Sequence, residues 1–434
     1  MSHIPTAEPS AVIVQLSDLH FSVDDPGLEA RNALIRERLC ADLEVLIGQL
    51  DRSADVVVVT GDIAYGGKEA EYQHANAWFH RVIDPITNGS TRVLCVPGNH
   101  DVDWSRIGQT HKAHRLNIAR CPDEELDVVL DEYLSEDGQA ILHPLGAYNT
   151  YASSLGCQLL DRFCWDSHQA IGGGYELDFR GVTTVVNSYD SDGSGTLAVH
   201  ANQLLKSPAP GRIPILLAHH DTFFWRRQHK LHTEVTRRMA VAMYGHTHTP
   251  RMQKVENCLE VTAGAVQPEE GKDWMPAYNV LRLTVQPTTG PSATMTVEVW
   301  RRRWGSDYDS FIPDTETGTC DVRQVEVPTA SPTPTGTMET GPETAEEEVR
   351  VALTTPEGDP HPVREVQRAL YDLGAGDRIT ILATLGLPID DLAQLPAHRL
   401  IPEAAAAVVA AGQLDVFRRL IAKRGKTTDG DADA

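Results

Sequence analysis

The sequence predicts an α/β protein, followed towards its C-terminal end by a small all-α domain. Short β-branched runs such as Val56–Val59 have the continuous apolar character of strands buried on both faces of a parallel sheet. Amphipathic stretches alternate with these runs, which is the pattern of β-α-β units. The separate domain is predicted because the last part of the chain is apolar only at helical spacing.

The composition is that of a globular protein with an acidic balance. Of the 434 residues, 41% are hydrophobic, and 61 Asp and Glu against 38 Lys and Arg give a formal net charge of -23. This charge disfavours sequence-independent binding to a nucleic-acid backbone. Metal ions in a site reverse the local potential, however, so nucleic acid stays open as a substrate. Seven scattered cysteines without a Cys-x-x-Cys pair indicate free thiols.

The sequence carries no sign of a membrane segment or of export. No apolar run approaches the roughly 18 residues of a membrane span. Residues 1–10, which we expect to be an N-terminal tail, have no basic segment followed by an apolar one. We therefore expect a cytoplasmic protein with no membrane partner.

The first elements predict a right-handed β-α-β crossover. The runs 12–16 and 56–60 are its two parallel strands, and Leu28–Leu50 is the amphipathic helix that covers them. Residues 69–83 are predicted to form a second helix and 92–96 a third strand.

The strand pattern stops between residues 104 and 165, where we expect a helical insert, or cap, over the site. After it, a hairpin is predicted to turn at Arg180-Gly181, between strands at 175–179 and 182–187. Further strands are predicted at 213–217, 241–244, 258–262, 279–285 and 294–300.

Composition divides the remainder of the chain. Residues 328–362 are rich in Pro, Thr, Gly and Glu and predict a disordered linker, because they cannot bury enough apolar surface to fold. Residues 363–424 predict three to five short helices without a cluster of catalytic groups, so this domain is expected to bind a protein partner. Residues 425–434 are a polar tail.

Polar side chains follow five of the predicted strands at the point where each strand ends. Loops at strand ends hold reactive groups on a rigid scaffold. Carboxylate, amide and imidazole groups are ligands for borderline divalent metals. The five motifs are Asp18-x-His20, Gly61-Asp62, Gly98-Asn99-His100-Asp101, His219-His220 and Gly245-His246-x-His248.

In content and order, these motifs resemble the calcineurin-like metallophosphoesterase superfamily over residues 11–304. The resemblance implies a four-layer α/β/β/α sandwich, here assigned to residues 11–327, and a binuclear metal site that hydrolyses phosphate esters. The two divalent ions would be Mn, Fe or Zn, since the ligands are all nitrogen and oxygen. By resemblance, the first ion takes Asp18, His20, Asp62 and His248, and the second takes Asp62, Asn99, His219 and His246.

The resemblance also assigns the catalytic groups. It implies attack by a metal-bound hydroxide, with Asp62 and Asn99 in the catalytic set and His100 as the general acid, a task for which the titration range of histidine is suited. Strand alternation predicts that His219 and His220 point to opposite faces, so that only one reaches the metals. The family pattern favours His219, which leaves His220 either to contact the substrate or to support the metal ligands. Asn99 and His100 are also expected to contact the substrate.

The leading functional prediction is a phosphodiesterase acting on a nucleotide or cyclic nucleotide. The Gly-His-Thr-His ending and the His-His pair resemble the bacterial cyclic-nucleotide branch of the superfamily, and phosphate-binding arginines typical of its Ser/Thr phosphatases are not found in the motifs. One alternative is a nuclease effector of a bacterial conflict or defence system, recruited through residues 363–424. A second is a signalling scaffold in which catalysis is secondary.

The C-terminal domain itself resembles the death-like adaptor domains that bacteria attach to enzymatic effectors. The likeness rests on Leu370–Leu373 followed by Asp377-Arg378-Ile379, and on Ala411–Asp415 followed by an apolar and basic helix. A helical tail of no particular family is the alternative interpretation.

Overall fold

The computed structural model describes residues 8–23, 26–86, 92–159, 162–189, 192–205, 209–268, 275–288, 290–305, 309–314, 319–330, 366, 381–382, 384–385, 404 and 407–424. The chain divides into two compact units, Met1–Gly336 and Thr337–Ala434. Within the described residues, no helix is long and apolar enough to cross a membrane.

The first unit contains two β-sheets. Its strands are β1 Ser10–Leu16, β2 Val56–Val59, β3 Arg92–Cys95, β4 Cys164–Gly172, β5 Tyr175–Val182, β6 Arg212–Leu217, β7 Val241–Tyr244, β8 Arg251–Val255, β9 Cys258–Thr262, β10 Ala277–Gln286, β11 Ser292–Gly305, β12 Ser310–Pro313 and β13 Asp321–Pro328. The longer helices are α1 Pro26–Gln49, α2 Glu69–Ile86, α3 Gln109–Arg120, α4 Leu126–Leu142, α5 Gly146–Ser153 and α6 Gln228–Arg238.

Each sheet combines parallel and antiparallel strands. In the first sheet, β1 pairs with β2 and β2 with β3 in parallel, while β10, β11, β12 and β13 extend it in antiparallel fashion. In the second sheet, β5, β6, β7 and β9 are parallel, and β4 and β8 are antiparallel edge strands. The β-branched residues of β2 are buried on both faces of the sheet, as the sequence predicts.

The two sheets pack face to face, with helices outside them. One apolar core contains side chains from both sheets, and Gln15 on β1 donates to the carbonyl oxygen of Tyr244 on β7 at 3.1 Å. Helix α1 adds Leu39 and Leu43 to this core. Helix α6 packs Leu231 against a second core on the other side of the second sheet. The four-layer α/β/β/α arrangement is therefore confirmed.

The predicted insert is helical, and charged groups attach it to the segment that directly precedes α6. Helices α3, α4 and α5 lie between β3 and β4. Arg226 donates to the carbonyl oxygens of Ile118 and Cys121 at 2.6 and 2.7 Å, and the adjacent Arg227 forms a two-point ion pair with Asp127 at 2.7 and 2.8 Å. Planar guanidinium groups suit such forked contacts.

The prediction of a hairpin that turns at Arg180-Gly181 is wrong. Strand β5 runs straight through these residues, and its antiparallel partner is β4, which precedes it. The actual turn is at Gly172–Gly174, where all three glycines have positive φ. The error arose because β4 is only partly apolar, so its sequence gave a weak strand signal.

The second unit is described only in part. Its longest described helix is α7, Leu414–Arg424. A small apolar cluster includes Val366, Leu382, Val408 and Phe417. The linker from residue 331 onwards, most of the 363–424 domain and the segments 370–373 and 377–379 lie outside the described residues, so the predicted domain boundaries stay predictions.

Candidate metal centre

Seven candidate ligands converge at the carboxyl ends of the parallel strands. Five of them have a left-handed backbone, which non-glycine residues rarely adopt. Such strained residues persist where the surrounding structure enforces them, and they concentrate at functional sites. The φ angles are 54° for Asp18, 47° for His20, 53° for Asp62, 65° for His246 and 56° for His248.

Asp62 lies at the centre of this group. Its Oδ2 is 3.5 Å from Nε2 of His20 on one side and 3.2 Å from Nε2 of His219 on the other. Its Oδ1 accepts the backbone N–H of His100 at 2.8 Å, and the side chain is almost fully buried. One carboxylate therefore faces ligands from both halves of the site.

The remaining candidates complete two sets around Asp62. On the His20 side, Nε2 of His248 is 3.2 Å from Oδ1 of Asp18. On the His219 side, Oδ1 of Asn99 lies 3.2 Å from Nε2 of His219 and 3.1 Å from Nδ1 of His246. In both the Asp18, His20, His248 group and the Asp18, Asp62, His219 group, the potential ligand atoms lie within 4.8 Å of one another.

Two backbone carbonyl groups orient the central histidines. Nδ1 of His20 is 2.9 Å from the carbonyl oxygen of Gln267, and Nδ1 of His219 is 2.7 Å from that of Thr60. A carbonyl only accepts, so Nδ1 carries a proton in each ring, and Nε2 is the nitrogen that faces Asp62. Metal-binding histidines are commonly held in this way.

The electrostatics of the site favour bound cations. Burial opposes ionisation of Asp62, but His219 and His20 hold the pKa of its carboxyl well below the ordinary value. Burial likewise lowers the pKa of both histidines, yet Asp62 and Asp18 outweigh it and raise the pKa of each to about 9. Oδ1 of Asp18 and Nε2 of His20 are buried without a hydrogen-bond partner among the described residues. The donor set therefore fits divalent metal ions.

His219 and His220 both face the site, contrary to the expectation from strand alternation. Strand β6 ends at Leu217, so the alternation does not extend to this pair. Their rings are 4.7 Å apart, and that of His220 is 4.1 Å from that of His246. Of these two histidines, only His219 contacts Asp62 and Asn99. Nδ1 of His220 is instead 2.7 Å from Oγ1 of Thr184.

His100 lies beside the His20 half of the site. Its Nδ1 is 2.9 Å from the carbonyl oxygen of Tyr65, which fixes the proton on that nitrogen and leaves Nε2 for another partner. The ring centroid is 4.7 Å from that of His20 and 5.1 Å from that of Tyr65.

Asp101 holds the two central loops together, a task that its place in the motif did not reveal. Its carboxylate accepts the N–H groups of Gly98 at 2.9 Å, Ala64 at 3.0 Å and Ile63 at 3.3 Å, and the hydroxyl of Tyr72 at 2.8 Å. The loops that carry Asn99 and Asp62 therefore share one buried carboxylate.

Two motif glycines are required because other groups approach them closely. A Cβ on Gly98 would lie 2.1 Å from Oδ1 of Asp62. A Cβ on Gly61 would lie 2.2 Å from Nδ1 of His219, and the φ of Gly61 is 101°. Several supporting groups had no sequence signal, because they lie outside the motifs. They are Thr60, Thr184, Asp192 and the backbone of Gln267.

The family model described as calcineurin-like phosphoesterase matches residues 11–250. The match spans more than half of the chain, which therefore belongs to this family, and the resemblance carried by the five motifs is confirmed. No curated protein matches the sequence.

Three solved structures are similar to this chain at low identity. Purple acid phosphatase PPD1 from yellow lupin seeds is 14% identical with a TM-score of 0.39, covering 74% of this chain and 54% of its own. GAP50, the anchor in the inner membrane complex of Plasmodium, is 11% identical with a TM-score of 0.38, covering 74% and 90%. Vps29 from Chaetomium thermophilum is 14% identical with a TM-score of 0.26, covering 76% and 100%.

Proposed function

We propose that this protein is a binuclear-metal-dependent phosphodiesterase acting on a nucleotide or cyclic nucleotide. The position of Asp62 carries the proposal, because its carboxylate faces His20 and His219 at 3.5 and 3.2 Å. A group that reaches both halves of a site is what two neighbouring cations require.

The proposed ligands follow the two sets around Asp62. Asp18, His20, Asp62 and His248 would hold one ion, and Asp62, Asn99, His219 and His246 would hold the other. Two divalent ions supply charge that stabilises the phosphoryl oxygens, and they lower the pKa of water to near neutrality. Nitrogen and oxygen ligands suit Mn, Fe or Zn.

His100 is the proposed general acid. Its Nδ1 proton is held by the carbonyl oxygen of Tyr65, so a protonated ring presents its Nε2–H to the leaving oxygen of the ester. Its backbone N–H donates to Asp62, which fixes the position of the proposed acid relative to the proposed bridging carboxylate. Asn99 and His220 are the further proposed substrate contacts.

Hydrolysis of two model esters tests this proposal. Purified protein with Mn is expected to hydrolyse bis-p-nitrophenyl phosphate in preference to p-nitrophenyl phosphate. Asp62→Asn and Asn99→Ala should each remove more than about 99% of the activity, since catalysis by metal ions depends on their placement. Asp42→Asn is the matched control, because Asp42 is an ion-paired aspartate that contacts Arg302 and Tyr278 instead.

Metal content supplies a second readout. We expect about two ions per wild-type chain by elemental analysis, fewer in Asp62→Asn and an unchanged number in Asp42→Asn. Hydrolysis that persists in a metal chelator, or that survives Asp62→Asn, would refute the proposed function. A preference for the monoester would retain the phosphoesterase but reject the diester substrate.

The second compact unit favours one further candidate function, a nuclease effector recruited through residues 363–424. A small apolar cluster of its own, with Phe417 almost fully buried, supports an independently folded binding domain. Release of nucleotides from single-stranded DNA under the same conditions would favour this candidate. A signalling scaffold would predict neither activity.

A further inference from the structure

A buried arginine of the insert connects two loops that flank the metal centre. Arg115 on α3 is only 1% exposed. Its guanidinium carbon lies 4.9 Å from the ring centroid of Trp104 and 4.6 Å from that of Tyr189, and these two rings are 6.0 Å apart. A guanidinium that lies over the faces of two aromatic rings is attracted by both of them. We call Arg115, Trp104 and Tyr189 the arginine clamp.

One side of the clamp belongs to the loop that carries Asn99 and His100. Trp104 begins a short 3-10 helix just after that loop. Its N-terminal cap, Asp103, accepts the backbone N–H of Ser105 at 3.0 Å. Trp104 is therefore held in a fixed relation to the proposed general acid.

The other side of the clamp leads to His220. The backbone N–H of Tyr189 donates to Oδ1 of Asp192 at 2.8 Å, and the hydroxyl of Ser188 donates to Oδ2. That Oδ2 is 3.7 Å from Nε2 of His220. Burial raises the pKa of Asp192, and the charge of Arg115 opposes that rise. Arg115 therefore supports Asp192 both through Tyr189 and through its own charge.

The helix that carries Arg115 is itself fixed. Arg226 contacts the C-terminal end of α3 through the carbonyl oxygens of Ile118 and Cys121, and Arg227 holds Asp127 on α4. Tyr189 is nevertheless 47% exposed, although its ring packs on Arg115, so part of the residue is open to a ligand. A fixed base with an exposed ring is suited to stacking against a planar group.

We propose that Arg115 is a positioning residue for substrate specificity. By packing on Trp104 and Tyr189, it fixes the exposed Tyr189 side chain, whose backbone in turn supports the Asp192 carboxylate beside His220. The clamp thereby forms the wall of the site that receives a planar, aromatic leaving group. This inference rests on the proposed function. It gives the helical insert a role, which is to form one fixed wall of the substrate site.

Steady-state kinetics of the full chain with Mn test the inference. We expect Arg115→Met to raise KM for bis-p-nitrophenyl phosphate about tenfold, because a Tyr189 ring that is no longer fixed loses its stacking on the aromatic leaving group. The kcat should stay within threefold of wild type. Tyr189→Leu should raise KM similarly, and Tyr189→Phe far less, because it keeps the ring. The KM of the double variant, Arg115→Met with Tyr189→Leu, should be no higher than that of either single variant, since both substitutions remove the same contact.

Arg282→Met is the matched control. Arg282 also lies over an aromatic ring, with its guanidinium carbon 5.3 Å from the centroid of Trp300. It pairs across the sheet with Val12, at the opposite end of β1 from Asp18 and thus roughly 20 Å from the site. This variant should lower the melting temperature without changing KM.

Three results would overturn the inference. The first is an unchanged KM in Arg115→Met with a melting temperature lowered as in Arg282→Met, which would make the clamp merely structural. The second is a fall in kcat at constant KM, which would place the effect on the chemical step. If Arg115→Met does not fold, Tyr189→Leu decides in the same way. The third is a wild-type protein without metal-dependent hydrolysis of either ester, which would refute the proposed function as well.

Discussion

Gly98→Ala tests how closely the Gly98 loop must approach Asp62 in the metal centre, and it does so without adding backbone strain. Gly98 has φ -105° and ψ -176°, a conformation that alanine adopts freely. The added Cβ, however, would lie 2.1 Å from Oδ1 and 2.6 Å from the backbone nitrogen of Asp62. Rotating the Asp62 side chain relieves only the first contact. The loop that carries Asn99 and the backbone at Asp62 must therefore separate.

The size of the effect follows from these distances. Normal van der Waals separation requires a displacement of roughly 1 Å between the two loops. A misplacement of that size in a catalytic group lowers kcat/KM about 100-fold, or about 2.7 kcal/mol of transition-state stabilisation. The same overpacking should reduce the free energy of unfolding by about 1–3 kcal/mol.

Gly108→Ala is the control for this experiment. Gly108 has a similar backbone, with φ -78° and ψ -175°, and its added Cβ would meet nothing within 4 Å. We expect wild-type kcat/KM on bis-p-nitrophenyl phosphate and wild-type metal content from Gly108→Ala, and losses of both from Gly98→Ala. A Gly98→Ala enzyme within threefold of wild type would refute the reasoning.

Two further predictions concern the support of the site and the division of the chain. Asp101→Asn should lower the free energy of unfolding by about 3 kcal/mol, because an amide cannot accept from all the donors around Asp101. Tyr72→Phe, which removes one donor, should lower it by about 1 kcal/mol. Equal losses in urea unfolding would contradict this account. Removal of residues 331–434 should leave kcat/KM for model esters within twofold of wild type, since every proposed ligand lies in the first unit. A larger loss would show that the second unit contributes to catalysis.

Much of the fold was predictable because its signals are local. The β-branched run at 56–59 and the amphipathic stretch at 28–50 each specify an element through residues that are close in sequence. The β4–β5 hairpin was not predictable in this way. Its register depends on pairing with β6 as well as on its own residues, and the pattern of β4 is only partly apolar.

The candidate ligands were predictable for the same reason, since each follows a buried strand within a few residues. The structure brings all seven together at the carboxyl ends of parallel strands from both sheets, because the two sheets pack face to face. The prediction that His219 and His220 point to opposite faces was wrong, because strand β6 ends at Leu217 and its alternation does not extend to them.

By itself, the sequence determined the family, the layered α/β architecture and the identity of the groups at the strand ends. Only the tertiary structure decided which groups support them. Arg115 and Tyr189 are 74 positions apart in the chain, and the carbonyl oxygen of Gln267 reaches His20 across 247 positions. Such contacts are made by the packing of distant elements, and neither periodicity nor motif spacing carries a signal for them. The sequence thus specified the candidate ligands, while packing specified their orientation and the position of Arg115 and Tyr189.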